Sequence, residues 1–133
     1  METSAIEFMF FFEGQLPSGK NAVLITRQGR RYPAPRFKAW RDAMLRALPH
    51  EHPTFTGPVH LTADYYAGDL RRRDLPGMLD AILHVLEKAK LVEDDAQITS
   101  CRWIPMGLNR DMPGCLVTLT GAVAVQAKVK KRG

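Results

Sequence analysis

The chain has only two cysteines in 133 residues, Cys101 and Cys115. They are too few and too widely spaced for a disulfide framework or a zinc motif, and read as reduced thiols of a cytoplasmic protein. Long apolar runs are missing as well. Phe8-Met9-Phe10-Phe11-Phe12, flanked by Glu7 and Glu13, is too short to span a bilayer and lacks the basic residues that open a signal peptide. It reads as a buried strand, with no membrane partner implied. Repeats and low-complexity stretches are absent. Neither sign of charge dominates: Lys and Arg number 19 against 14 Asp and Glu, a net charge of +5, which permits nucleic-acid binding without requiring it. With 45% apolar and 25% charged residues, the composition is that of one globular domain, long enough to bury a core unaided.

Periodicity predicts a mixed α/β (α+β) domain with about five strands in a mixed sheet and two main helices. Residues 5–12 form the first strand, stopped by the turn formers of residues 14–21. Residues 22–32 suit a short hairpin around Gln28-Gly29. Phe37, Trp40, Met44, Leu45 and Leu48 recur at helical spacing, placing a helix near 35–48, with Pro49 and Pro53 at its exit. Residues 57–66 alternate, Val59, Leu61 and Ala63 on one face, His60, Thr62 and Asp64 on the other. A second helix is expected over about 75–90, its stripe running Leu75, Met78, Leu79, Ile82, Leu86, Ala89. Strands near 96–106 and 114–124 follow. The domain spans 1–127, and the basic residues 128–133 read as a frayed tail.

Charge crowds both ends of the second helix. Arg71-Arg72-Arg73-Asp74 precedes it and Asp94-Asp95 follows it. Asp74 is a good N-cap and Pro76 suits a first turn; Asp94 and Asp95 suit a turn; the arginines suit a solvated loop. The functional alternative is a carboxylate cluster beneath arginines, handling a cation and an anion together. A helix of about 15 residues rises ~22 Å, so its ends do not meet by themselves. The chain must return afterwards, and a crossover between parallel strands is the expected route for bringing Asp74 toward Asp95.

Residues 71–98 resemble the central signature of the RusA family of Holliday-junction resolvases: a basic run, Asp-Leu-Asp-Asn, a lysine on the following helix, then Asp-Asp-Xaa-Gln. Here these are Arg71-Arg72-Arg73, Asp74 and Asp94-Asp95-Ala96-Gln97. Weaker likenesses lie upstream in residues 16–21 and 30–42. The resemblance implies a small homodimeric, magnesium-dependent endodeoxyribonuclease, often phage- or prophage-borne, that resolves branched DNA; manganese is the expected substitute metal. Two positions depart from the pattern. Pro76 stands for the second aspartate, and Asp80 for the lysine.

Positions 76 and 80 are neighbours across one helical turn, with Cβ atoms ~5–6 Å apart, and helical side chains lean toward the N-terminus. Asp80 is therefore expected to replace the missing carboxylate. The expected metal set is Asp74, Asp80 and Asp95, with Asp94 or water completing it; the alternative leaves Asp80 a solvated residue and the site crippled. Arg73 is the expected substitute for the lysine, as a bidentate phosphate donor. Arg71, Arg72, Lys20 and Lys38 are the expected DNA contacts. His84 reads as a surface residue, and Trp40 and Trp103 as core or dimer residues. A four-way junction offers two symmetric strands, which suits a two-fold dimer. The rivals are a junction-binding protein that does not cut, a nuclease preferring flaps or forks, and a basic structural protein.

Overall fold

Alternation of apolar and polar residues builds four long strands, and two helices cover one side of the sheet they form. In the computed structural model, which describes residues 3–17, 23–25 and 27–124, the elements run β1 (Thr3–Glu13), β2 (Val23–Ile25), β3 (Arg31–Pro33), α1 (Pro35–Ala47), β4 (Phe55–Ala67), α2 (Leu75–Lys88), β5 (Ile98–Leu108) and β6 (Gly114–Ala124). The main sheet has four strands in the order β1-β6-β4-β5, mixed in direction, while β2 and β3 pair as a separate hairpin. The expectation of about five strands is thus revised to six in two sheets among the described residues. The hairpin foreseen around Gln28-Gly29 forms, but as a sheet of its own.

β1 and β4 each run antiparallel to the central β6, and β4 runs parallel to β5. The parallel pair needs a crossover, and α2 supplies it. Val59, Leu61, Ala63 and Tyr65 of β4 face the helices and are buried; His60 on the opposite face is exposed. Phe12 of β1, Val117 and Leu119 of β6, Met44 of α1 and Met78, Ile82, Val85 and Leu86 of α2 complete the core. Burying each of the larger aliphatic side chains contributes roughly 1.5–3 kcal/mol. The aromatic run of β1 divides by parity: Phe12 is fully buried and Met9 is 54% exposed.

Each helix end has a local cause. Pro35 opens α1, where a missing N–H matters little, and Pro49 holds Leu48 extended, closing it. α2 ends where Lys90 adopts a left-handed conformation, φ 66°, so that the Leu91 N–H reaches the Leu86 carbonyl at 3.0 Å. That is a Schellman-type cap made without glycine. Among the described residues no helix is long and apolar enough to cross a membrane.

Candidate functional site

At the end of the sheet where β4 stops, the chain turns through residues 68–74 into α2. Arg71, Arg72, Arg73 and Asp74 form one wall of an open cleft of ≈730 Å³. Arg36, Phe37 and Trp40 from the start of α1 form the other, with Gln15, Leu16 and Pro17 at the exit of β1. Four arginines and one carboxylate therefore meet in a hollow with an aromatic side. Trp40 is held there by stacking on Phe12, with ring centroids 5.9 Å apart and planes 23° apart, and by Phe37 at 6.0 Å. Its buried indole N–H has no hydrogen-bond partner among the described residues. Gln15 ties the walls together: its amide donates to the Tyr65 hydroxyl at 2.6 Å and accepts from the Gly68 N–H at 2.8 Å.

The loop is organised by Asp69. Its carboxylate accepts from the Arg71 backbone N–H at 3.0 Å and from Arg73 Nη1 and Nη2 at 3.0 and 3.3 Å. The Arg73 guanidinium, with the Arg71 N–H, holds the Asp69 carboxyl below its ordinary range. Arg73 also donates to the Arg71 carbonyl, so three donor contacts of the expected catalytic cation already go to its own loop. Arg71 and Arg72 are exposed and carry no such carboxylate pairing among the described residues.

Asp74 occupies the N-cap position of α2 but makes no side-chain cap bond. Its carboxylate is exposed and is left available beside the arginines. Asp80 lies on the exposed column Pro76, Asp80, His84, Glu87 of α2, one turn below the start of the helix as the sequence suggests. His84 packs edge-on against Phe37 at 5.3 Å. Burial, then the positive charges of Arg41 and Lys88, lower its pKa against the pull of Glu87, which favours the neutral ring.

The acidic motif at the other end of α2 divides its labour. Asp94 caps the 3-10 turn Asp95–Gln97 by accepting from the Ala96 N–H at 3.0 Å. Gln97 Oε1 accepts from the Glu93 and Asp94 N–H groups at 2.7 and 3.2 Å, and its Nε2 donates to the carbonyls of Phe55 and Gly57 at 2.9 and 3.0 Å. Two of the motif's residues thus have structural work, clamping the turn to the start of β4. Asp95 is exposed and, among the described residues, its carboxylate makes no hydrogen bond.

The topology separates the two halves of the expected carboxylate set. Because β4 and β5 are parallel, α2 must run back against both. Asp74 sits where β4 ends and Asp95 where β5 begins. The 14 residues of α2 rise about 21 Å, and the bonds from Gln97 to Phe55 and Gly57 fix the Asp95 turn at the start of β4, the opposite end of the sheet from Asp74. The expectation that the crossover gathers Asp74, Asp80, Asp94 and Asp95 within one chain is therefore corrected: a parallel crossover delivers the helix's flanks to opposite ends of the sheet. Among the described residues no group of three or more His, Cys, Asp or Glu side chains is placed to hold a metal ion. Lys38 is paired with Asp42 on α1 at 2.9 Å, and Lys20 and the tail lie outside the described residues. The sequence reading missed Arg36 and Gln15. Arg36 had a usable signal, standing four residues before Trp40 and so on the same helical face; Gln15, in a turn, had none.

No protein-family profile matches the chain, and no curated protein matches it.

Proposed function

We propose that this chain is a RusA-like, magnesium-dependent endodeoxyribonuclease acting on branched DNA as a homodimer. The observation that carries the reading is the cleft that Arg36, Arg71, Arg72 and Arg73 line together with Asp74, a solvent-facing N-cap residue that makes no cap bond. Aspartate at an N-cap ordinarily stabilises its helix by about 1 kcal/mol through that bond. Leaving the carboxylate outward, among cations suited to a phosphodiester, fits a site for cleaving or gripping DNA better than a cap. Arg71 and Arg72 would fix the backbone without reading sequence, and Arg36 would approach from the opposite wall.

For the metal, one chain supplies a partial fit. Asp74 and Asp80 offer hard oxygen donors at one end of α2 and Asp95 offers another at the far end, so a complete set requires a second copy. Magnesium, when bound, would supply a more acidic water and neutralise charge on the phosphate. The protein's own contribution is orientation: Asp69 sets the Arg73 fork, and Gln97 sets the turn bearing Asp95. A nicking assay on a labelled four-way junction, with and without magnesium, tests the reading. Cleavage should need the metal and vanish in Asp74→Asn, Asp95→Asn and Asp80→Asn; metal-independent or unaltered cleavage refutes these assignments.

A second reading, junction binding without cutting, has its own observation. Arg73 is held by Asp69 and Asp80 stands where the family has lysine, so no unpaired cation replaces that lysine on α2's first turns. In the same gel it predicts a retarded junction that is never nicked, with flap and fork substrates distinguishing a different preference.

A further inference from the structure

Both helices start at the same hollow, and neither start is capped by a side chain. Ala34 precedes α1 and has no side-chain acceptor to offer; Asp74 precedes α2 and makes no cap bond. Arg36 and Phe37 of α1's first turn line one wall of the cleft, and Asp74 lines the other. A helix start carries unpaired N–H groups and about half a positive charge, which suits it to hold an anion. α1 and α2, of 13 and 14 residues, bring two such starts to one cleft.

Side-chain charge adds to this. Arg36 stands on α1's wall, and Arg71 and Arg72 on α2's. All three are exposed, and none has a carboxylate partner among the described residues. Arg73 is already held by Asp69, so three available guanidiniums face the single carboxylate of Asp74. Trp40 supplies a different surface. One face of its ring stacks on Phe12, yet the residue is only half-buried and borders the hollow. The Gln15 amide already donates to Leu16 and Tyr65, which leaves it no donor for reading a base edge.

Two anion sites with an aromatic surface match one nucleotide of a strand, which carries a phosphate on its 5′ side, another on its 3′ side and a flat base. We propose that the cleft is a pocket for a single nucleotide outside any duplex. One phosphate meets Arg36 and the start of α1, the other meets Arg71, Arg72 and the start of α2, and the base packs on Trp40. The base must be unpaired, because a duplex keeps it inside the stack; stacking on an aromatic side chain then tolerates any base. The cleft's ≈730 Å³ lies within the range of small-ligand pockets, about 300–1,000 Å³. This deepens the reading above and rests on its arginines gripping phosphate, but uses neither the metal nor a second copy. The same chemistry has two sources, a nucleotide turned out of DNA and a free nucleoside 3′,5′-bisphosphate.

Trp103→Phe leaves Trp40 the sole tryptophan, a reporter at the pocket. Titrated at low salt without divalent metal, deoxyadenosine 3′,5′-bisphosphate should change Trp40 emission saturably. dAMP, with one phosphate, should bind at least about tenfold more weakly, and inorganic phosphate or deoxyadenosine more weakly still. Arg36→Gln, at an exposed position, should remove the bisphosphate's advantage over dAMP. Trp40→Ala, read by calorimetry, should lower bisphosphate affinity at least about tenfold. Should a variant misfold by circular dichroism, calorimetry on the wild type still decides through the ranking of the four probes. A duplex with a one-nucleotide bulge should bind more tightly than the same duplex fully paired. If the two bind alike while the bisphosphate binds, the pocket stands with the free nucleotide as its occupant. Bisphosphate that binds no more tightly than inorganic phosphate, unchanged Trp40 emission, or affinity indifferent to Arg36→Gln overturns the pocket. Magnesium-dependent nicking by a protein that ignores the bisphosphate also overturns it and leaves the nuclease reading standing; bisphosphate binding without nicking does the reverse.

Discussion

Replacing Gln97 by alanine removes four hydrogen bonds from one side chain. Two are half-buried, to the carbonyls of Phe55 and Gly57, and two are exposed, from the Glu93 and Asp94 N–H groups. A net hydrogen bond contributes about 0.5–1.5 kcal/mol. Taking about 1 for each half-buried bond and about 0.5 for each exposed one, Gln97→Ala should cost about 3 kcal/mol. Gln97→Glu is the informative companion. Its carboxylate can still accept from the two N–H groups but cannot donate to the carbonyls, so it should cost about 2 kcal/mol or more. Urea unfolding of wild type and both variants reads this directly, as a fall in midpoint at constant slope. The turn bearing Asp95 loses its tether in both variants, so the proposed nuclease reading expects metal-dependent nicking to fall further than global stability explains. A cost below about 0.5 kcal/mol for Gln97→Ala, within the range of ordinary surface substitutions, would refute the clamp and return Gln97 to the solvated turn.

Three further outcomes follow from the backbone and the thiols. Gly114 has φ 152° and a Cβ there would lie 2.4 Å from the Phe12 carbonyl oxygen; Gly114→Ala should destabilise by at least about 1–3 kcal/mol in the same unfolding assay, through the β1–β6 pairing. Lys90 adopts the left-handed conformation at the end of α2, so Lys90→Gly should raise the midpoint, corresponding to a stabilisation of up to about 1 kcal/mol. Burial pushes the Cys115 thiol up to about 12, and Cys101 is raised less deeply and is exposed. Because only the thiolate reacts, a disulfide reagent at pH 8 should label Cys101 in the native protein and Cys115 only on unfolding; early labelling of both would contradict the core packing.

The strands and helices were legible because their patterns are strong and local. Alternation from Val59 to Asp64 assigned both faces of β4 correctly, and the prolines at 49 and 76 marked helix ends by mechanisms that act within a residue or two. That the helical layer stops short of β5, leaving Cys101 and Pro105 exposed on the face they share with buried Leu61 and Tyr65, was not legible. Leu75 and Leu79 belong to the same heptad-like stripe as Met78 and Ile82, and periodicity does not say how far a helical layer extends across a sheet. The carboxylate geometry failed for a related reason. Spacing along the chain fits the Asp74 and Asp95 motif, but their separation depends on the direction of α2 against β4 and β5, a property of topology rather than of either motif. Parallel pairing was the condition on which the crossover reading stood, and the condition is met; its consequence for the helix ends was drawn the wrong way. The part of Gln97 was hidden because a side chain that bonds distant carbonyls leaves no local period.

The sheet turns its helix-free side to water, with Thr120 and Ser100 exposed there and His60 bonded between Ser100 and Thr62. Sheets stacked on other layers stand about 10 Å from them, so a dye or tether fixed at Thr120 would ride a full layer away from the arginine cleft. That makes this side the natural handle for immobilisation or fluorescence work, where a reporter must follow the molecule without touching what it holds.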